Sequence, residues 1–223
     1  MMARLTRAQQ REQTRRRLIE AAGSVFGRLG FEAAPIEVIA EEAGFSRGAF
    51  YSNFESKDEL FIELVQNHFD AEIDTLGRAL ARIAHANDLA PAVERRYRTL
   101  GENSNWCLLT TEFQLYAMRG GRMAGRFSEI YEDYRRRLGE LIALHFDRLG
   151  IRSSLTPYEF GAAQIALSHG LALQRAASGV LDTSLPARAL ATFVRGAITP
   201  IGSGTSDPSM PETAAPNASR PPR

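Results

Sequence analysis

The chain has 223 residues, enough for one domain with an appendage or for two small domains. Its 27 basic and 26 acidic residues, with 44% hydrophobic and 24% charged residues, exclude a wholly disordered chain, a collagen and a coiled-coil rod. The single cysteine, Cys107, excludes a disulfide-stapled secreted scaffold and a zinc site made of several thiolates. Because the sequence shows neither a signal peptide nor a run of about 18 apolar residues, we expect a soluble, cytoplasmic protein that does not enter a membrane.

The positive charge is concentrated at the N-terminus. Residues 1–30 contain seven arginines and two glutamates, whereas residues 31–60 contain two basic and seven acidic residues. A basic segment of this kind suits a polyanion such as DNA phosphate, and it is equally compatible with a solvated, fraying arm. If the arm meets DNA, Arg4, Arg7 and Arg11 could reach the minor groove or flanking phosphates.

Apolar residues recur at helical spacing along almost the whole chain, and no segment shows sustained alternation of apolar and polar residues. We therefore predict an all-α protein with about nine helices. In chain order these helices cover residues 8–29, 35–43, 46–52, 56–83, 91–100, 106–118, 123–149, 157–177 and 186–198.

Several residues mark the ends of these helices. Gly30 stands just past the end of the first helix, and Ser46 is a typical N-cap for the third. At Ser56 and Glu59 we expect a capping box, in which each side chain accepts a hydrogen bond from the backbone N–H of the other residue. Pro35 fits the first turn of the second helix, because the N–H that proline lacks would be unpaired there.

The second and third helices have the pattern of a helix-turn-helix. A break at residues 44–46 separates them, and the small residues Ala40 and Gly44 let the two helices cross closely. Short amphipathic helices around a glycine also occur where no DNA is bound, so the pattern alone leaves plain packing open.

Residues 14–60 resemble the N-terminal DNA-binding domain of the TetR family of transcriptional regulators along almost their whole length. The matching residues stand in the right order and spacing with no gap, and they are Ile19, Ala21, Ala22, Phe26, Gly30, Phe31, Ile39, Ala40, Ala43, Gly44, Phe45, Ser46, Gly48, Tyr51, Phe54, Lys57 and Leu60. The remaining helices agree with the family in architecture only. The resemblance implies a homodimeric transcriptional regulator, a repressor by family default. Its third helix would enter the major groove of a palindromic operator, and a small-molecule effector would release the protein from that DNA.

The residues expected to bind DNA surround that third helix, and they are Glu37, Ser46, Arg47, Gly48, Ala49, Tyr51, Asn53 and Lys57. Arg47 is the only basic residue in 46–52, and a guanidinium pairs bidentately with O6 and N7 of guanine. Arg47 is therefore the first candidate for base readout, with a phosphate contact as the alternative. Gly48 allows a close approach to the DNA, and Ala49 offers a small apolar contact.

By the resemblance, the Tyr51 hydroxyl contacts a phosphate and Lys57 adds positive charge at the first turn of the fourth helix. These contacts would position the protein without reading sequence. The chain departs from the family at two positions. Pro35 replaces the usual Ser or Thr, so the backbone N–H of Glu37 would take over that phosphate contact, and Asn53 replaces a frequent histidine while keeping an amide donor.

We expect residues 1–60 to form the arm and DNA-binding domain, residues 61–201 a helical effector-binding and dimerisation domain, and residues 202–223 a disordered tail that holds five of the ten prolines. The resemblance assigns the last two helices to a four-helix interface between subunits. Their many small residues fit such close packing, as they would fit a monomeric core. Helix four, which joins the two domains, is the expected lever of a population shift caused by the effector.

Aromatic and polar side chains of the sixth, seventh and eighth helices are candidates for an effector pocket, and they are Trp106, Phe113, Tyr116, Phe127, Tyr131, Gln164 and His169. Core packing is the competing interpretation for each aromatic residue, because helical spacing requires apolar residues somewhere. A satisfied core or interface histidine is the competing interpretation for His169.

Two other classes of protein are weighed against a specific regulator. The four histidines and Cys107 show no metal-ligand or nucleophile spacing, and no glycine-rich phosphate loop occurs, so we expect no enzyme, no bound metal and no cofactor. The alternative function is a nonspecific DNA-binding or protein-interaction helical bundle without an effector. Preference for one palindrome over other DNA distinguishes the two.

Overall fold

The computed structural model describes residues 6–100, 104–120, 122–178 and 184–201. In these ranges it has nine α-helices, numbered here in chain order: α1 (Arg7–Leu29), α2 (Ile36–Glu42), α3 (Arg47–Tyr51), α4 (Lys57–Ala81), α5 (Leu89–Leu100), α6 (Ser104–Met118), α7 (Ala124–Leu149), α8 (Pro157–Ser178) and α9 (Leu185–Ala197). The prediction of an all-α fold is confirmed. The predicted tail, residues 202–223, and Arg4 of the arm lie outside the described residues. No helix in the described ranges combines the length and the apolar character that crossing a membrane requires.

Side chains cap the N-termini of α3 and α4. The Ser46 hydroxyl accepts a hydrogen bond from the Ala49 N–H at 3.2 Å, which confirms the predicted cap. The Ser56 hydroxyl accepts from the Glu59 N–H at 3.1 Å. The Glu59 carboxylate, however, accepts from the N–H of Glu55 at 2.6 Å. The return half of the predicted capping box is therefore wrong, because the longer side chain reaches one residue past the cap.

α2 and α3 meet at a tight turn. Gly44 has a φ of +77°, a left-handed conformation that favours glycine, and a Cβ added there would lie 2.9 Å from Nη2 of Arg17. The N–H of Phe45 donates to the carbonyl of Ala40 at 2.8 Å and closes the turn. With the turn in this form, Ala40 and Phe50 are both buried in the core. The predicted helix-turn-helix is thus present.

An aromatic cluster joins the helix-turn-helix to the rest of the molecule. Phe113 of α6 is fully buried and stacks on Phe61 of α4, with ring centroids 4.2 Å apart. Phe113 also meets Phe31, from the loop after α1, at 5.4 Å and Phe127 of α7 at 4.8 Å. Because four elements contribute rings to this Phe113 cluster, the N-terminal helices and the larger helical part share one hydrophobic core.

A short two-stranded sheet adds to the predicted helices. β1 (Ile151–Ser153) pairs with β2 (Ile198–Pro200) in antiparallel fashion, with Ile151 opposite Pro200. The sheet ties the end of α7 to the end of α9, and Ile151 is buried. Strands of three residues are too short to show alternation of apolar and polar residues, so the sequence pattern does not reveal them.

Candidate nucleic-acid interface and internal cavity

One side of α3 is anchored in the core and the other faces solvent. Phe50 is fully buried, whereas Arg47 and Gly48 are exposed and Tyr51 is 47% exposed. Arg47 and Tyr51 stand one helical turn apart, so their side chains lie on the same face of α3. This face combines a guanidinium, a phenol and a position without a side chain, a combination suited to phosphates and base edges.

Two neighbours hold the Arg47 guanidinium. Its Nη1 lies 2.9 Å from Oε1 of Glu37 on α2, and its Cζ lies 5.6 Å from the centre of the Tyr51 ring. The Tyr51 hydroxyl and then the Glu37 carboxylate raise the pKa of Arg47 above its ordinary value. Because the side chains of Glu37 and Arg47 are 55% and 63% exposed, their ion pair contributes little to stability. The guanidinium can therefore exchange the carboxylate for DNA at small cost.

Replacing Glu37 by glutamine should strengthen binding to any DNA duplex. The change removes a negative charge beside the phosphates and a competitor for Arg47, so we expect the dissociation constant to fall about twofold to fivefold. Fluorescence anisotropy at one fixed salt concentration measures the change. The matched control is Glu140→Gln on α7, whose carboxylate is 63% exposed and lies 2.6 Å from Arg136, and it should leave the affinity unchanged. Weaker binding by Glu37→Gln would show instead that the carboxylate orients Arg47 for the DNA.

Lys57 fixes the loop that leads into α2. Its Nζ donates to the carbonyl oxygens of Phe31, Glu32 and Ala34 at 2.7, 3.0 and 3.1 Å. An ammonium group has three donors, and these three carbonyls use all of them. Lys57 thus places positive charge beside the candidate interface, while the direct phosphate contact expected from the sequence would require it to release a carbonyl.

The amide of Asn53 points back onto α3. Its Nδ2 donates to the carbonyl of Ala49 at 2.8 Å, and both residues are half-buried. Arg15 of α1 stabilises the C-terminal end of α3, because its guanidinium donates to the carbonyl of Asn53. The sequence did not single out Arg15. By contrast Arg7 and Arg11 are exposed on the first turns of α1, so this part of the basic arm is helical.

A cavity of about 200 Å³ lies among α4, α5, α6, α7 and α8. It is smaller than common ligand pockets, which measure about 300–1,000 Å³, so it suits a compact ligand. Its aromatic and polar walls are formed by His68, Phe69, Glu72, Arg96, Tyr97, Trp106, Cys107, Thr110, Tyr134, Gln164, Ser168, His169 and Arg175.

The structure brings only some of the predicted pocket residues to this cavity. Those that line it are Trp106, Gln164 and His169. Those that do not are Phe113, Tyr116, Phe127 and Tyr131. The rings of these four residues pack against one another in and around the Phe113 cluster, where the shared core needs large apolar side chains.

The cavity wall supplied by α4 was missed from the sequence. His68 and Glu72 stand one turn apart and both line the cavity. Two polar residues at this spacing, beside the apolar positions Phe69 and Leu76, were the available signal. The length of α4 indicates a connecting helix, and the spacing of His68 and Glu72 shows in addition that α4 has a polar face.

Burial favours the uncharged forms of the two histidines and the cysteine that line the cavity. It lowers the pKa of His68 and of His169 below the usual 6.5 and raises the pKa of Cys107 to about 11. The His68 ring also stacks on Trp106, with centroids 3.8 Å apart and 8° between the planes. In the described ranges no three His, Cys, Asp or Glu side chains converge in a way that would hold a metal ion.

Buried histidines predict that acid destabilises the fold. Burial lowers the pKa of His68, His145 and His169 from 6.5, so below that pH the unfolded chain binds more protons than the folded chain. Their contribution to stability is complete above pH 6.5 and is lost as the pH falls below it. For each proton that only the unfolded chain binds, the free energy of unfolding falls by about 1.4 kcal/mol per pH unit.

We therefore expect a lower urea midpoint at about pH 5.5 than at about pH 7.5. The exposed histidine provides the control, since His85→Gln should leave this difference unchanged, whereas His169→Gln should reduce it. An equal or higher midpoint at the acid pH would contradict the prediction.

α6 connects the cavity with the helix-turn-helix. Near its start, Trp106 lines the cavity. Further along, the Glu112 carboxylate accepts from the backbone N–H of Phe31 at 3.0 Å, and the Tyr116 hydroxyl donates to Asp58 at 2.9 Å. One helix therefore contacts both the cavity and the loop that precedes α2.

Comparison with known proteins identifies the N-terminal part. Residues 18–64 match the family model of bacterial regulatory proteins, tetR family. Over 70 residues the chain is 37% identical to the HTH-type transcriptional activator FasR of Mycolicibacterium smegmatis, and the match covers 31% of this chain and 32% of FasR. The chain spans about a third of the length of the curated relatives that it matches first.

Solved structures match over most of the chain. The transcriptional regulator FadR from Bacillus subtilis, in complex with stearoyl-CoA, has a TM-score of 0.61 and 18% identity, covering 80% of this chain and 96% of FadR. A candidate transcriptional regulator from Saccharomonospora viridis, in complex with choline, has a TM-score of 0.67 and 21% identity, covering 84% of this chain and 98% of that protein. At these identities the likeness establishes a shared fold.

Proposed function

Because the chain belongs to the TetR family of bacterial regulatory proteins, we propose that it binds one palindromic operator as a homodimer and is released from it by a small molecule. In this proposal residues 1–60 bind DNA, and residues 61–201 bind the effector and form the dimer. The observation that carries it is the exposure of Arg47 and Tyr51 on a short helix whose opposite side is fixed in the core by Phe50. The curated relatives are transcriptional regulators, which agrees with a binding protein rather than an enzyme.

The last two helices support the dimer. A Cβ added to Gly170 of α8 or Gly196 of α9 would meet nothing within 4 Å, whereas one added to Gly161 would lie 3.2 Å from Leu138. The outer small residues thus face open space in the single chain and leave room for a second copy to approach closely. A two-fold axis through these helices would present two α3 helices to the two halves of a palindrome.

Two helices that connect the cavity with the helix-turn-helix support release by an effector. α4 begins beside the helix-turn-helix at Lys57 and reaches the cavity at His68, and α6 carries Trp106 at the cavity and Tyr116 near its other end. Suppose that a ligand binds the conformation with displaced helices more tightly than the conformation that binds DNA. At saturation it then lowers DNA affinity by the ratio of its own affinities for these two conformations. Movement of α6 would act on the loop at Phe31 through Glu112.

The experiment that tests the proposal is fluorescence anisotropy of labelled DNA from the region upstream of the protein's own gene, with a scrambled duplex as control, at two salt concentrations. We expect binding to the native DNA to be about a thousandfold tighter or more. Equal and steeply salt-dependent binding to both duplexes would favour the nonspecific alternative for this DNA. No binding to either duplex would overturn the role given to α3.

A further inference from the structure

Two of the charged groups in the cavity neutralise each other. The carboxylate of Glu72 on α4 lies 2.6 Å from the guanidinium of Arg96 on α5, and the two side chains are only 26% and 17% exposed. Arg175, the other charged residue among the described lining residues, is engaged in an interaction of its own. Taking either partner out of the Glu72–Arg96 pair would leave a half-buried charge uncompensated. The Glu72–Arg96 pair therefore offers no ready counter-charge to an ionised ligand.

The walls of the cavity are flat and aromatic. The Trp106 ring covers His68, and on another wall Phe69 stacks on Tyr134 with centroids 4.2 Å apart and 10° between the planes. Rings of this kind pack best against another planar ring, and their edges and faces favour offset or perpendicular contacts. An aliphatic chain would bury apolar surface in the cavity without making these ring–ring contacts.

A neutral hydrogen-bonding pair accompanies these rings. The Gln164 amide donates to the Tyr97 hydroxyl at 3.2 Å, and both residues line the cavity. Burial raises the pKa of Tyr97, so its hydroxyl stays protonated. A phenol and an amide together can donate to and accept from a hydroxyl or carbonyl group of a ligand.

From these contacts we infer that the cavity binds an uncharged aromatic molecule that carries a hydroxyl or carbonyl group, with its ring against Trp106 and its polar group toward Tyr97 and Gln164. This inference rests on the proposed function only in treating the ligand as the effector. An ionised ligand of the same shape would lose its hydration without gaining a counter-charge from the Glu72–Arg96 pair, and that loss weakens its binding. A neutral ring loses little hydration and gains the aromatic contacts.

The experiment is isothermal titration calorimetry of the full chain at neutral pH with three probes that share one ring system: 2-naphthol, 2-naphthoate and trimethyl(2-naphthyl)ammonium. We expect 2-naphthol to bind at least about tenfold more tightly than either ion. Trp106 is the only tryptophan of the chain, so a shift of its indole N–H signal in an NMR titration reports binding at the cavity. Tighter binding of the carboxylate or of the ammonium would overturn the inference, and so would the absence of binding by all three.

Two variants test whether the Glu72–Arg96 ion pair disfavours a carboxylate ligand. Glu72→Gln keeps the shape of the side chain and removes the carboxylate from Arg96, so it should raise the affinity for 2-naphthoate, relative to that for 2-naphthol, about tenfold. Met118→Ala lies on the same helix as Trp106 but is 83% exposed and outside the cavity, so it should change neither affinity. An unchanged affinity for 2-naphthoate in Glu72→Gln would contradict the role given to the ion pair.

Anisotropy of the operator complex separates the two proposals. If 2-naphthol binds at Trp106 and leaves the DNA affinity unchanged, the ligand class stands and release by a cavity ligand fails. If the chain shows no preference for its upstream DNA, the regulator proposal fails, while the calorimetric comparison of the three probes still decides the ligand class.

Discussion

Arg47→Ala is expected to lower affinity for the operator about 30-fold to 20,000-fold, with a much smaller effect on scrambled DNA. A bidentate contact between a guanidinium and guanine contributes about 1–3 kcal/mol of discrimination, and a homodimer loses two of them. The geometry favours this role because Arg47 is 63% exposed and its ion-pair partner within the described ranges is the exposed Glu37. Anisotropy titrations of the native and scrambled duplexes at the same salt concentration measure both effects.

Arg98→Ala is the matched control for this experiment. Arg98 on α5 is 60% exposed and lies 2.5 Å from Glu94, so its loss removes the same charge from a similar ion pair away from α3. We expect it to change neither affinity by more than about twofold. If Arg47→Ala instead weakens binding to both duplexes equally, Arg47 contacts phosphate, which is the alternative left open by the sequence.

Phe113→Ala is expected to lower the free energy of unfolding by about 3–5 kcal/mol. The residue is fully buried, and its ring contacts Phe31, Phe61, Tyr116 and Phe127 within 5.4 Å between centroids. Alanine would leave a cavity among rings from four elements, and these rings hold the helix-turn-helix against the larger part. Urea unfolding followed by circular dichroism gives the difference.

Two further substitutions on α6 test this assignment. Phe113→Leu fills part of the space and should cost less than Phe113→Ala. Met118→Ala removes a side chain that is 83% exposed, so it should change the free energy of unfolding by no more than about 0.5 kcal/mol. A loss below about 1 kcal/mol for Phe113→Ala would show that the cluster can collapse around the gap, contrary to the close packing seen here.

The helix-turn-helix could be predicted because its signals are local. Gly44 and Ser46 specify a turn and a cap from their own chemistry, and the structure shows both. The same logic failed at Glu59, whose carboxylate accepts from Glu55 rather than Ser56. A side chain with several rotatable bonds can choose between adjacent backbone groups, and the sequence alone does not decide between them.

The cavity could be predicted only in part because it depends on how distant helices meet. Helical spacing marks Phe113 and Trp106 alike as inward-facing, yet one lies in the shared core and the other at the cavity. The difference arises from whether a neighbouring helix fills the space opposite, which is a tertiary property. The three carbonyls bound by Lys57 are likewise brought together only by the folded loop.

The pairing of β1 with β2 bears on the order in which the chain can fold as it is synthesised. β1 leaves the ribosome before α8 and α9, whereas its partner strand is the last described segment to emerge. Until then the backbone N–H and C=O groups of β1 lack their hydrogen-bond partners in β2, and the end of α9 has no strand contact with the end of α7. Domains fold from the N-terminus during translation, so the helix-turn-helix can assemble early, while closure of the C-terminal part waits for β2. Ribosome-bound intermediates would then carry a formed helix-turn-helix before α8 and α9 are complete.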